Sequence, residues 1–276
     1  MIGPILLADR GVVEVAGADA TGFLHGLVTN DVQRLAPGEA RYCALLAPQG
    51  KILFDFLLFA TGEGESRRYL LDCPKALEAD LVKRLNMYRL RSTVTIASLS
   101  DHLAVFAMTE ASQTGSAALA VAPDPRAEAL GFRAIAPREA IAAETARAEY
   151  DARRVAAGVP EGGVDFSYGE AFPHEANMDL LAGVDFKKGC FVGQEVVART
   201  QHRGLARRRV TRYRAEGGAP EPGTPVKAGE IDLGVTGSRQ GELGLAMIRL
   251  DRLEDALRAG VTPQAGGARL EFQKDG

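Results

Sequence analysis

The chain has 276 residues, enough for about two domains at ~100–200 residues each. Lys and Arg number 33 against 36 Asp and Glu, a net charge of −3, which excludes nucleic-acid binding by bulk attraction and leaves only a local basic patch for it. A hydrophobic share of 46% and a charged share of 25% exclude a mainly disordered chain, and no apolar run reaches the ~18 residues of a membrane span.

In chain order, Ile5–Leu7 and Val12–Val15 read as strands flanking an Asp9-Arg10-Gly11 turn in which Gly supplies positive φ. Asp19 is placed to cap a short helix carrying Phe23, Leu24, Leu27 and Val28. Tyr42–Leu46 and Ile52–Phe59 form a hairpin around Pro48-Gln-Gly-Lys51, and their continuous apolar runs predict strands buried on both faces. Tyr69–Leu71 is another strand. Leu77, Leu81 and Leu85 mark one face of a helix over 75–88. Val94–Ile96 and Leu103–Ala107 are further strands, and 110–131 reads as a loosely specified connection.

The longest predicted helix runs from Arg138 to Ala157 and stops at Gly158. Residues 159–185 break every period, as a long functional loop would. Glu216 to Pro225, rich in Gly and Pro, is the clearest linker or long turn. Short strands follow at 225–227, 234–236, 245–248 and 269–272, which suggests a small β-barrel-like domain. Tight turns between strands favour an α+β fold of mixed or antiparallel sheets over a doubly wound parallel one. The expected domains are 1–208 and 209–276.

Cys43, Cys73 and Cys190 are odd in number and widely spaced, so they are no disulfide framework, and a cytoplasmic setting is expected. Met1–Arg10 has no basic region before its apolar residues and does not read as a signal peptide. Phosphate-loop, dinucleotide and nucleophile-elbow motifs are absent. The scattered histidines and cysteines give no zinc or iron–sulfur spacing, so no tightly held metal is expected.

Chemistry concentrates in Phe186-Lys-Lys-Gly-Cys190-Phe-Val-Gly-Gln-Glu195. Neighbouring lysines favour a thiolate at Cys190, the form that attacks or binds metal. Gly189 and Gly193 permit turns, and Gln194 and Glu195 open a short helix to Thr200. The alternative is a small buried hydrophobic Cys with solvated lysines. Seven arginines follow between Arg199 and Arg214 with no acid among them. They read either as a strand whose charges face water or as a docking surface for a polyanion.

Lys188-Gly-Cys-Phe-Val-Gly-Gln-Glu195 resembles the signature of the YgfZ family, tetrahydrofolate-binding relatives of the glycine-cleavage T-protein linked to iron–sulfur cluster assembly and repair. Phe23 to Asp31, Pro48 to Lys51, Tyr88 to Arg91, Gly158 to Gly162, Phe172 to Asn177, Ala198 to Gly204, Gly223 to Pro225 and Gly244 to Ala246 also resemble family motifs. The resemblance covers nearly the whole chain, and the mitochondrial cluster-assembly branch is especially similar. It implies a T-protein-like fold closed by a barrel, and a pocket for tetrahydrofolate or a one-carbon derivative.

Two departures stand out. The T-protein's catalytic Asp falls at Asp80, but the Asn-Ala pair before it is Cys73-Pro74 here. Its pterin-contacting Glu falls in Ala156-Ala157-Gly158, where Ala cannot accept the pterin's hydrogen bonds. The resemblance therefore implies a folate pocket, while these departures speak against aminomethyl transfer.

A pterin needs an apolar slot with polar groups at its edge, for which Asn30, Asp31 and Glu195 are candidates. Arg199 and Arg203, or Arg89 and Arg91, are candidates for clamping the glutamate tail. Lys188, Gly189, Gly193 and Gln194 complete the expected cofactor-binding set. The expected function is folate-dependent help in assembling or repairing [4Fe–4S] proteins, tRNA-modifying enzymes among them, with Cys190 as a transient ligand. Folate and iron–sulfur client or assembly proteins are the expected partners; membrane and direct nucleic-acid contact are not expected. The alternatives are a one-carbon transferase using Asp80 as acid or base, and a ligand-free adaptor docking through its arginines.

Overall fold

The computed structural model describes residues 3–62, 64–143, 146–203 and 206–273. Its elements in order are β1 (Ile5–Leu6), β2 (Arg10–Ala16), α1 (Ala20–Leu27), β3 (Ala40–Leu46), β4 (Ile52–Thr61), β5 (Arg68–Pro74), α2 (Glu78–Arg89), β6 (Thr95–Ser98), β7 (Leu103–Met108), β8 (Ala120–Pro123) and β9 (Phe132–Pro137). Then come α3 (Arg147–Ala156), α4 (Gln194–Arg203), β10 (Arg208–Ala215), β11 (Pro225–Ala228), β12 (Ile231–Gln240), β13 (Leu243–Arg249), α5 (Leu250–Arg258), β14 (Gln264–Ala265) and β15 (Ala268–Phe272).

The strands form a five-stranded antiparallel sheet in the order β3-β4-β5-β2-β6, a four-stranded one in the order β1-β7-β9-β8, and a closed six-stranded barrel. The apolar runs of β3 and β4 are buried on both faces because each face meets its own core. Alternate residues Phe54, Phe56 and Leu58 pack under α1 and α2, while Leu57 and Phe59 face the four-stranded sheet. Each such side chain contributes about 1.5–3 kcal/mol by leaving water. Barrel strands alternate as expected, with Tyr213, Ala215, Leu233, Ala246 and Leu270 filling the interior.

Five local expectations differ from the structure. β1 and β2 are not a hairpin: β1 pairs with β7, β2 with β5 and β6, and the chain crosses between sheets at Leu7–Arg10. Gly11 does not adopt positive φ; it is needed because a Cβ there would lie 2.4 Å from the Glu78 carboxylate. Asp19 does not cap α1; its Oδ2 accepts the Thr93 N–H at 2.6 Å and ties the turn after α2 to the start of α1. The segment 110–131 contains edge strand β8, paired with β9. The long helix begins only at Arg147, since Ile141 is buried outside the four-stranded sheet and Arg138 N–H donates to His102 O, contacts that override helix propensity.

Candidate functional site

β3 is an edge strand, and an open edge would leave a row of backbone groups unpaired. The Thr29-Asn30-Asp31 segment lies along it. Thr29 N–H donates to Ala44 O at 3.0 Å, Ala44 N–H to the Thr29 hydroxyl at 2.9 Å, and Asn30 Nδ2 to Tyr42 O at 2.9 Å. The same residues hold a second segment on their outer side. Thr29 Oγ1 donates to Gly183 O and Asn30 Nδ2 to Ala182 O, both at 2.6 Å, and Asp185 N–H donates to Thr29 O at 3.0 Å. Asp31 accepts the Gln33 N–H at 2.8 Å and faces His25 at 3.4 Å. Asn30 and Asp31 are thus bonded within the fold, and Thr29 and Asn30 position the segment that leads into Cys190.

That segment continues through Asp185, whose Oδ1 accepts the N–H groups of Lys187 and Lys188 at 2.7 and 3.1 Å. The half-buried Lys188 ammonium donates to His25 O and Val28 O, each at 2.5 Å, at the C-terminus of α1. Burial pulls the Lys188 pKa down to about 8, while the negative end of the helix favours the cation.

Cys190 follows and is exposed. Beyond it Phe191 packs into the core between the sheets and Val192 into the one beneath α1 and α2, so the turn straddles the sheet edge. Gln194 Oε1 accepts the Phe191 N–H at 3.0 Å and closes it. Gly193 has φ +81°, and a Cβ there would lie 2.5 Å from Ala47 O and 3.0 Å from Gly50 Cα. Two backbones touch at this point, one from the Cys190 turn and one from the β3–β4 turn, and only glycine permits the approach. Glycines 50 and 193, found in separate sequence motifs, therefore belong to one contact.

The other predicted residues lie apart from it. Gly189, Glu195 and Arg199 are exposed, the last two on α4; Asp80 is exposed in the first turn of α2 and Arg89 at its end. The side chain of Arg203 lies outside the described residues. Among the described side chains, none of the predicted site residues lines any of the five described cavities. The arginine run is largely structural. Arg208 pairs with Glu175 at 2.9 Å, Arg209 with Asp179 at 2.8 Å and Arg214 with Glu242 at 2.7 Å, and Arg212 donates to Ala156 O at 3.0 Å. The bonds of Arg208 and Arg209 fasten β10 to the segment that precedes Cys190, that of Arg212 fastens it to α3, and the exposed Arg214 pair stays within the barrel.

Sequence reasoning missed a lattice of charges, most of them buried, where both sheets, α3 and the barrel meet. Arg133 bonds Asp72 at 2.9 Å, Asp124 at 3.1 Å and the Tyr150 hydroxyl at 2.7 Å. Arg10 bonds Asp72 at 2.5 Å, and Arg126 takes Asp124 in a two-bond fork at 2.7 and 2.9 Å. Arg147 reaches Asp9 at 2.5 Å and Glu161 at 2.7 Å; Arg154 reaches Asp165 at 3.1 Å and Ser238 of the barrel at 2.8 Å. Asp55 accepts bonds from Tyr42 and Tyr168 at 3.0 and 2.5 Å. Arg126 and Arg133 hold Asp124 well below the usual carboxylate range against the opposing effect of burial.

The five arginines of the lattice, with Asp9, Asp55, Tyr150 and Glu161, line a cavity of ≈ 20 Å³, room for little more than a water molecule. A pterin requires a slot of hundreds of Å³ with mainly apolar walls. It does not fit this chamber as folded, where guanidinium and carboxylate groups meet one another.

A GCVT N-terminal domain model matches residues 8–135, and a model of the CAF17 C-terminal beta-barrel domain matches residues 207–275. Over 95% of its length the chain is 35% identical to the iron–sulfur cluster assembly factor IBA57 homolog, mitochondrial, of Mycosarcoma maydis, covering 68% of that protein. The chain belongs to the IBA57 family. The Homo sapiens iron–sulfur cluster assembly factor IBA57, mitochondrial, is 32% identical over 91% of this chain and 78% of its own. In three dimensions the chain is similar to the glycine cleavage system aminomethyltransferase T of Bartonella henselae, with a TM-score of 0.75, 15% identity, and coverage of 98% of this chain and 84% of that one. At that identity the likeness establishes the shared fold alone.

The expected cytoplasmic setting is overturned by these IBA57 relatives, which are mitochondrial proteins. The inference failed because sparse, unpaired cysteines report a reducing environment and do not distinguish one reducing compartment from another. No helix among the described residues is long and apolar enough to cross a membrane.

Proposed function

We propose that this chain assists iron–sulfur cluster assembly by presenting Cys190 as one ligand of a cluster whose other ligands come from a partner protein. The observation that carries this reading is an exposed thiol on a turn pinned at both ends. Burial pushes the thiols of Cys43 and Cys73 up to about 12, which leaves them inert. Among the described residues no three His, Cys, Asp or Glu side chains gather to hold a metal ion. One sulfur cannot complete a cluster's coordination, so the remaining ligands are the partner's.

The step is a ligand exchange with no change in oxidation state. The Cys190 thiol releases its proton to solvent as sulfur bonds iron, and the partner ligand it displaces takes up a proton. Recipients of the finished cluster are [4Fe–4S] proteins, the class that the signature's resemblance implies. The exchange uses neither tetrahydrofolate nor Asp80.

The test is Cys190→Ala in cells lacking their own copy of this factor. The variant is expected to melt like wild type and to leave [4Fe–4S] enzymes inactive. Wild-type enzyme activity with the variant refutes the role.

A further inference from the structure

The two lysines before Cys190 have a common charge and different surroundings. Lys187 is exposed. Lys188 is half-buried, with its ammonium on the carbonyls of His25 and Val28 and 4.9 Å from the Phe191 ring centroid. We infer that Lys188 is a positioning residue whose ammonium tethers the Cys190 turn to the C-terminal end of α1.

The last carbonyls of a helix lack partners within it, and the helix dipole makes that end negative. In α1 the Val28 N–H takes Leu24 O, and Lys188 supplies a donor to His25 O. A cation held by two carbonyls and a ring face is fixed in direction, because each charge-assisted bond is stronger than its neutral counterpart. The bonds join positions 160 and 163 residues apart in sequence. They fix the chain two residues before the thiol, and the Gly50–Gly193 contact fixes it three residues after.

The sulfur is thus exposed to a partner while its backbone is held, as a ligand entering a preformed coordination shell requires. The sequence alone suggested a different task, in which both lysines lower the thiol's pKa by proximity. The two ideas separate cleanly. Activation by charge makes Lys187 and Lys188 equivalent; tethering involves Lys188 alone.

The test uses a methanethiosulfonate nitroxide on the full chain. Cys43 and Cys73 are buried, so the label reports on Cys190. The room-temperature electron paramagnetic resonance spectrum of the wild type is expected to show a motionally restricted component. Lys188→Met is expected to lose that component while keeping a cooperative melt, and Lys187→Met to retain it. If the methionine variant does not fold, Lys188→Gln, which keeps a polar end but cannot span both carbonyls, is read the same way. An unchanged spectrum on altering Lys188, or an equal loss on altering Lys187, overturns the inference. The inference takes Cys190 as the acting group from the function proposed above, but the spectrum involves neither cluster nor partner. The tether can therefore fail while the cluster role stands, and the Cys190→Ala test can fail while the tether stands.

Discussion

Replacing Arg133 by methionine tests whether the charged lattice holds the sheets and barrel together. Methionine keeps an unbranched apolar stem of similar reach and removes the guanidinium. Arg133 is 2% exposed and bonds Asp72, Asp124 and Tyr150 from three different parts of the chain. Removing one partner of a buried ion pair costs roughly 3–5 kcal/mol, because the other charge remains buried. Here Asp72 keeps Arg10 and Asp124 keeps Arg126, so the expected loss falls at the low end, about 3 kcal/mol. At ~2–4 °C per kcal/mol for a chain near this size, the melting temperature should fall by roughly 6–12 °C. Thermal and urea melts followed by circular dichroism measure it, with Arg249→Met as control, since its partner Asp251 sits in an exposed pair. A variant that melts with the wild type would show that the lattice is neutralised charge without mechanical consequence.

Three further outcomes follow from the same geometry. Under native conditions a maleimide should modify one thiol per chain, and three after denaturation; Cys190→Ser should abolish the native reaction, and native modification of Cys43 or Cys73 would contradict their burial. Asp124, Glu161 and Asp9 are held below their ordinary values by arginines that outweigh burial, so their contribution to stability is complete above about pH 4.5 and is lost as pH falls through 3.8 and below. Arg133→Met should therefore unfold at a higher pH than wild type in an acid titration, and coincident curves would argue against it. In anaerobic calorimetry the heat of adding tetrahydrofolate should be the same for wild type and Arg133→Met, because the ≈ 20 Å³ chamber does not admit a pterin; a difference between them would show that the chamber opens.

The β3–β4 hairpin, the helix over 75–88 and the barrel were legible because period and turn residues act locally. The Cys190 turn was legible as a glycine-framed thiol. Its partner glycine at 50 was visible only as an unrelated turn, because nothing in spacing links positions 143 residues apart. The lattice was hidden for the same reason, yet it left a local sign. Asp55 stands between Phe54 and Phe56, and Asp72 between Leu71 and Cys73. A carboxylate within an apolar strand predicts a buried donor or cation, though not which one. The start of α3 was misjudged because an Ala- and Arg-rich run carries helix propensity past the point where Ile141 must turn inward. The different surroundings of the two lysines were not legible, because sequence proximity to a thiol says nothing about where a five-atom side chain ends.

The closed chamber and the pinned turn bear on one question: on which surface does this fold act? A ligand-binding interior needs space and unsatisfied polar groups. Here the junction of sheets and barrel contains arginines and acids bonded chiefly to each other, around a space of ≈ 20 Å³. An exchange of ligands with another protein needs the reverse, an accessible atom whose surroundings do not move when the partner arrives. The edge of β3 supplies it. Thr29 and Asn30 satisfy that edge and hold the approach to Cys190, and Lys188 and Gly193 hold the turn on either side. The ionic interior bonds neither α1 nor the β3–β4 turn, the two anchors of the thiol; it meets their strands only through Tyr42 and Asp55. On this view a lattice variant that still folds should loosen the Cys190 label less than Lys188→Met does, because it touches neither anchor and leaves the tether in place. A larger effect from Arg133→Met would move the origin of the thiol's position from the turn to the core.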